Sequence, residues 1–432
     1  MAAAADAKAI VLASTCVLVA TCATHFGAGR ALWSDRGWRA WQPMRGRRAF
    51  VALQAVGDGR ARWWVLVLSW ASLGLGVAGE AVVGVSLAFF DETRTGGRTS
   101  ETMDARNVAR VVQMLTVLHV VHAPHMAVFA VLGTAYALGR WRTLAAVVAL
   151  YASTYVTRQK SLERGQRKWE QFQTWTLRTV EGAAKSWYGS VRVVHDGKVS
   201  EAAHSSPHVF AYHPHSMVPA GAVWFHMLPD FSARFRGIQP VTLAASVLFK
   251  APIVRELAAW LGVRAVSREI FRSTLREQGA VVVCPGGQHE MQEHGGPMEE
   301  TIVLCTKHKG FIRIAIEERA RVVPVICFGE SKSWTNIMAK PGRYLYRRFR
   351  FGFTPLLAVG YLGILPLPRR VPITFVIGEP MVLPDPDALT GLAKESDVDA
   401  FHASYYSQVE RLFDEHKSKA GFPELCLVMK ND

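Results

Sequence analysis

Apolar residues fall into two different patterns along this chain. Before residue 158 they form four long segments, at 9–24, 64–90, 111–138 and 143–157. From 208 onward, short apolar runs alternate with helix-like stretches. Residues 9–24 and 143–157 carry no Asp, Glu, Lys or Arg, 64–90 carry only Glu80, and 111–138 carry none beyond three histidines. At about 1.5 Å per residue, the second and third segments are long enough to cross a hydrocarbon core of about 30 Å. The fourth is too short to cross upright; it reads as re-entrant, or as the returning arm of a hairpin with 111–138 that turns at Gly139-Arg140-Trp141-Arg142. The first could also serve as a targeting sequence, although its lone Lys8 makes a weak basic start.

In the second pattern, strands are expected at 208–213, 239–245, 280–284, 322–328 and 372–377, and helices at 217–228, 252–261, 268–278, 310–320 and 397–417. The last helix sets Val398, Phe401, Tyr405, Val409, Leu412 and Phe413 on one stripe. Strands alternating with helices predict an α/β fold with a mostly parallel, covered sheet, preceded by membrane-embedded α-helices. The division that follows is an N-terminal extension over 1–105, a membrane hairpin or re-entrant segment over 106–158, and an α/β domain at the membrane surface over 159–432.

Charge sharpens this picture. The net charge of +15 sits on a chain that is 50% hydrophobic, which calls for an anionic partner. No basic-and-aromatic repeat or zinc-finger spacing favours nucleic acid, so membrane lipid is the expected surface. Basic clusters at 36–62 and 158–168 place both stretches on the cytoplasmic side, with an even number of crossings between them. The six cysteines show no C-x-x-C pair, which fits a reducing compartment without a disulfide framework.

Two motifs in the membrane region are decoys. "GLGVAG" (74–79) fits the dinucleotide fingerprint but lies inside an apolar run, where Ser72, Gly76, Glu80 and Gly84 form a small face for helix packing. "HVVHAPH" spaces His119, His122 and His125 three apart, as one face of a metal box would, yet Pro124 disturbs its helix.

Chemistry belongs at the carboxyl ends of the strands. "YHPHS" (212–216) ends the first predicted strand and puts His213 and His215 on one rim with "CPGGQHE" (284–290), which ends the third. Gly286-Gly287 allows close backbone approach and can aim N–H groups at an anion. Glu290 lies within reach of an imidazole across the rim, the arrangement of a general base and its orienter. Lys307, Lys309 and Arg313 in "TKHKGFIRIA" then offer charge for a polyphosphate. A metal set of His213, His215, His289 and His294 is the competing reading of the same rim.

These residues resemble the type-2 diacylglycerol acyltransferase family, which includes the monoacylglycerol and wax-alcohol acyltransferases. "YHPHS" is a hybrid of the family's His-Pro-His-Gly and Glu-Pro-His-Ser boxes. The similarity continues through "VSR" (266–268), "PGGQHE", "KGF" (309–311), "PVICFGE" (324–330), "ITFVIGEP" (373–380) and "LFDEHKSKAG" (412–421), over about residues 205–425. The resemblance implies acyl-CoA as donor and diacylglycerol as acceptor, with no cofactor and no metal. His215 is then the general base, with His213 and Glu290 beside it. Ser216, Gly286, Gly287, Arg268, Lys307, Lys309 and Arg313 are the expected substrate contacts. The His-x4-Asp pattern of glycerophosphate acyltransferases is missing, since Ala220 and Val218 stand where its acid would be. The expected location is the endoplasmic reticulum membrane or a lipid droplet, with the catalytic domain cytoplasmic; self-association is left open. Other acceptors (monoacylglycerol, a long-chain alcohol, a sterol) are the near alternatives. A serine lipid hydrolase using Ser216, or a membrane scaffold, are the distant ones.

Overall fold

The computed structural model describes residues 139–197, 206–252, 254–293, 298–336 and 368–431, and a few positions between 339 and 360. The apolar segments at 9–24, 64–90 and 111–138 lie outside them. The described residues fall into two compact units that divide between Ala152 and Ser153. Helix α1 (Trp141–Thr157) contains the fourth segment, and its Val147, Val148, Leu150 and Val156 side chains are exposed. No helix among the described residues is long and apolar enough to cross a membrane.

The strands in chain order are β1 (Val191–His195), β2 (His208–His213), β3 (Val241–Ala244), β4 (Arg264–Ala265), β5 (Ala280–Val283) and β6 (Thr301–Cys305). They continue with β7 (Arg321–Phe328), β8 (Thr335–Asn336), β9 (Ala358–Val359), β10 (Ile373–Ile377) and β11 (Cys426–Lys430). Seven of them form one sheet in the order β1-β10-β7-β2-β5-β3-β4. Every neighbouring pair is parallel except β10 with β7. β6 pairs with β11 in a separate parallel ribbon. The main helices are α2 (Glu170–Trp187), α3 (Val254–Trp260), α4 (Arg268–Gln278), α5 (Gly287–Glu293), α6 (Gly310–Glu317) and α7 (Glu395–Lys417).

The inner strands are apolar without interruption because both sheet faces are covered; β2, β5 and β10 are buried at every position. Pro324, which has no N–H to donate, lies where the β10 ladder ends at Ile377↔Val325, and its carbonyl still accepts the Gly378 N–H at 2.9 Å. Helix α4 starts where the Ser267 hydroxyl accepts the Ile270 N–H and stops at Gly279, whose φ is 73°.

Alternation along β2 divides its side chains between two cores. Val209 and Ala211 join Val283, Ile326, Phe311, Val409 and Phe413 beneath α4, α6 and α7. Phe210 and Tyr212 join Phe225, Phe231, Phe235 and Phe375 on the other face. The helix expected at 217–228 is shorter than its pattern suggested. It begins at Gly221 and tightens into a 3-10 turn at Phe225–Met227, because residues 214–220 form a loop above the end of β2.

Phe210 is fully buried and packs against Phe231 and Phe235 at centroid distances of 5.3 and 5.2 Å. Phe210→Ala should therefore cost about 3–5 kcal/mol, the range for an unfilled aromatic cavity. Leu389→Ala, at a side chain 96% exposed, should change stability by less than about 0.5 kcal/mol. Thermal melts of the detergent-solubilised variants check both, and equal midpoints would contradict the assigned core.

Candidate active site

The loop that follows β2 carries His215, and three different elements hold it. At its start, His213 ends the strand on the α7 face, fully buried, with Nε2 2.8 Å from the Tyr405 hydroxyl of α7. Burial pushes the His213 pKa down to about 3, so this ring is neutral. His215 itself is half-buried, and its Nδ1 lies 3.0 Å from the Ser216 carbonyl oxygen. A carbonyl only accepts, so Nδ1 carries the proton of the neutral ring and Nε2 keeps its lone pair. Burial also lowers the His215 pKa, against the opposing effect of the carbonyl. Ser216 adopts a left-handed φ of 46°, uncommon for a side-chain-bearing residue. Its hydroxyl is buried with no hydrogen-bond partner among the described residues.

Glu290 is the second anchor. It projects from α5, is 3% exposed, and its carboxylate accepts the His215 backbone N–H at 2.7 Å and the Cys305 N–H at 3.1 Å. The expected orienter thus acts through the peptide: the bond goes to the His215 backbone, not to its imidazole. His213 Nδ1 also faces Glu290, at 3.9 Å, beyond hydrogen-bonding range. Burial pushes the Glu290 carboxyl up to about 7, and the two N–H bonds oppose that rise.

The two glycines have separate jobs. A Cβ on Gly286 would overlap the Glu290 carboxylate, so only glycine lets the acid fold back over the strand end. Gly287 turns at φ 53° to open α5, and its N–H is taken by the Cys284 carbonyl at 3.2 Å. The structure therefore uses that N–H for the turn, where the sequence pattern had suggested an anion donor.

The basic residues expected to meet substrate are largely matched by acids that lie far away in sequence. Lys309 bonds Asp399 at 2.6 Å, Arg313 bonds Glu395 at 2.7 Å and Arg268 reaches Glu317 at 3.3 Å. Lys307 is exposed near the His308 and His289 rings, whose centroids are 5.9 Å apart. His294 lies outside the described residues. Among the described residues His213, His215 and His289 do not come together as a metal-ligand set, whereas Asp196, Glu415 and His416 place their ligand atoms within 4.8 Å of one another.

Two residues that contact the loop or its strand were not among the site candidates the sequence offered. Tyr405 sits on the apolar stripe of α7 and reads as core. Glu330 follows β7 and is 6% exposed; it accepts the Tyr212 hydroxyl at 2.6 Å and the Gly221 N–H at 2.7 Å. An acid directly after a buried strand was the one available signal.

The site thus defines an α/β domain with a neutral, proton-accepting imidazole on a carboxylate-anchored loop at the carboxyl rim of a mostly parallel sheet. The family model for diacylglycerol acyltransferase matches residues 140–430, and the chain belongs to that family. It is similar to diacylglycerol O-acyltransferase 2 of Bos taurus, with 29% identity over 244 residues, covering 52% of this chain and 65% of the relative. The Homo sapiens protein of that name is 29% identical over 241 residues, covering 52% and 60%. That of Xenopus tropicalis is 31% identical over 234 residues, covering 50% and 63%. The chain therefore spans less than two thirds of the length of these relatives. No solved structure matches it.

Glu290 yields a pH prediction whose sign is fixed. Its folded pKa of about 7 exceeds the ordinary 4.5, so the folded state holds a proton that the unfolded chain releases. The stability from that proton is complete below about pH 4.5 and is lost as pH rises through about 7. Glu290→Gln lacks the titration, so its melting temperature should gain on that of wild type between about pH 5 and 8. A constant gap would mean that Glu290 does not titrate in this window.

Proposed function

We propose that this protein is an acyl-CoA-dependent O-acyltransferase that makes triacylglycerol from diacylglycerol, with His215 as general base. The observation that carries the reading is the Nδ1 contact to the Ser216 carbonyl, which leaves Nε2 of a neutral imidazole as a proton acceptor. Family membership and the diacylglycerol in the relatives' names support the acceptor.

In the proposed reaction, Nε2 takes the proton from the acceptor hydroxyl as that oxygen attacks the thioester carbonyl. The new C–O bond gives a tetrahedral oxyanion, for which the buried, unpartnered Ser216 hydroxyl is a fitting donor. Collapse breaks the C–S bond, coenzyme A leaves as a thiolate, and the imidazolium returns its proton to sulfur. Atoms and charge balance without a metal or cofactor. We further propose that the domain works at the cytoplasmic face of the endoplasmic reticulum membrane or on a lipid droplet, with membrane lipid as its surface. The charge balance and the apolar segments before residue 158 support that placement.

The hydrolase reading is disfavoured because a serine nucleophile needs a hydrogen bond to its base. Here His215 meets the Ser216 carbonyl, while the Ser216 hydroxyl has no partner among the described residues.

The test supplies labelled oleoyl-CoA with diacylglycerol, monoacylglycerol or a long-chain alcohol to detergent-solubilised wild type, His215→Ala and Ser216→Ala. Triacylglycerol from wild type is expected, with a loss of about 10²–10⁴-fold in His215→Ala and a smaller loss in Ser216→Ala. Full activity of His215→Ala would remove the base assignment, and labelled fatty acid in place of ester would revive the hydrolase.

A further inference from the structure

The loop that carries His215 has a second carboxylate anchor on the opposite sheet face. His213 and Tyr212 are adjacent on β2, so their side chains leave by opposite faces. His213 meets Tyr405 under α7, whereas Tyr212 donates its hydroxyl to Glu330 at 2.6 Å within the aromatic core. The other Glu330 oxygen accepts the Gly221 N–H at 2.7 Å. Glu330 therefore ties the far end of the loop, at Gly221, to the end of β2. Glu290 ties its middle through the His215 N–H.

The fit is close. A Cβ on Gly221 would overlap the Tyr212 hydroxyl and crowd Phe375 and Glu330. Burying an acid here costs free energy that an apolar residue would not, and burial does push the Glu330 carboxyl up to about 7. Packing alone does not call for a carboxylate, but two donors from different elements, one on each oxygen, do.

We infer that Glu330 is a positioning residue for the proposed acyl transfer: it clamps the carboxyl end of loop 214–221 and so holds His215 in register with the reacting hydroxyl. The inference rests on His215 acting as base. Glutamine at this position offers one acceptor oxygen and brings an N–H2 group against one of the two donors, so the clamp is lost while volume is kept. Small misplacement of a base is costly, and about a 10²-fold loss follows from a shift on the order of 1 Å.

The experiment uses the full chain in detergent and compares wild type, Glu330→Gln, Tyr212→Phe, Glu290→Gln, the Glu290→Gln/Glu330→Gln double variant and His215→Ala. Glu330→Gln should lower kcat by about 10- to 100-fold and leave KM for oleoyl-CoA within about twofold. Tyr212→Phe, which removes one donor and keeps the fold, should give a smaller loss in the same direction. The double variant should be much less impaired than the product of the single effects, since both acids hold one loop. Hydrogen exchange should accelerate at amides 214–221 in Glu330→Gln while the β2 and β7 amides stay protected. Wild-type kcat with unchanged loop exchange, beside an inactive His215→Ala, would overturn the clamp and leave the acyltransferase reading intact. Exchange raised throughout the sheet would overturn it in favour of a purely structural acid. A fully active His215→Ala would instead overturn the base assignment on which the inference rests.

Discussion

The hydrogen bond from the His215 peptide N–H to the Glu290 carboxylate is the contact around which the rim of this sheet is arranged. A buried acid is expensive unless donors replace its water. Glu290 obtains them from two chain segments, the loop after β2 and the end of β6. Its presence explains why Gly286 lacks a side chain, why α5 begins where it does, and why the small β6–β11 ribbon ends beside the histidine loop. One interaction thereby ties local turn chemistry to the placement of the His215 imidazole.

Strand β2 turns that placement into a division of labour. It is the strand between β7 and β5, so its backbone is fixed on both edges and its carboxyl end cannot drift. Alternation then sends Tyr212 into an aromatic core and His213 beneath α7, and the loop leaves with an anchor on each face. His215 comes two residues after the strand and takes its own support from backbone atoms: the Ser216 carbonyl at its ring and Glu290 at its N–H. An imidazole held in this way is set by loop conformation, so the left-handed φ at Ser216 bears directly on where the ring lies.

How far the sequence could be read follows from the range of the forces involved. Strand 208–213 and helix 268–278 matched their expected limits because their signals are local: an apolar run stopped by Pro214, and a Ser267 cap paired with Gly279. β1 and β6 were missed. VRVVH mixes a charge into a short edge strand, and TIVLC is a five-residue run whose partner, β11, lies far along the chain. Helix α2 was missed as well. The site shows the same limit. His213, His215 and Glu290 could be assigned to one rim, but not the atom through which Glu290 acts. The role of Glu330 depends on Tyr212 and Gly221, 118 and 109 residues away in sequence.

The basic segment illustrates how such long-range pairing changes a functional argument without cancelling it. Lys309 and Arg313 were expected to face a polyphosphate, and both instead meet acids in the first turns of α7. Those side chains are about a third exposed, and the partner acids are more exposed still. Pairs of that kind contribute about 0–1 kcal/mol, because water screens them and two long side chains must be ordered. A phosphate with several formal charges competes easily for such cations. The ion pairs therefore do not remove Lys309 and Arg313 from the surface available to an anionic donor. They dock the start of α7 onto the α6 segment, and the same helix continues two turns further to Tyr405 and its contact with His213. A ligand that drew Lys309 or Arg313 away from α7 would thus act on the helix that covers the histidine rim.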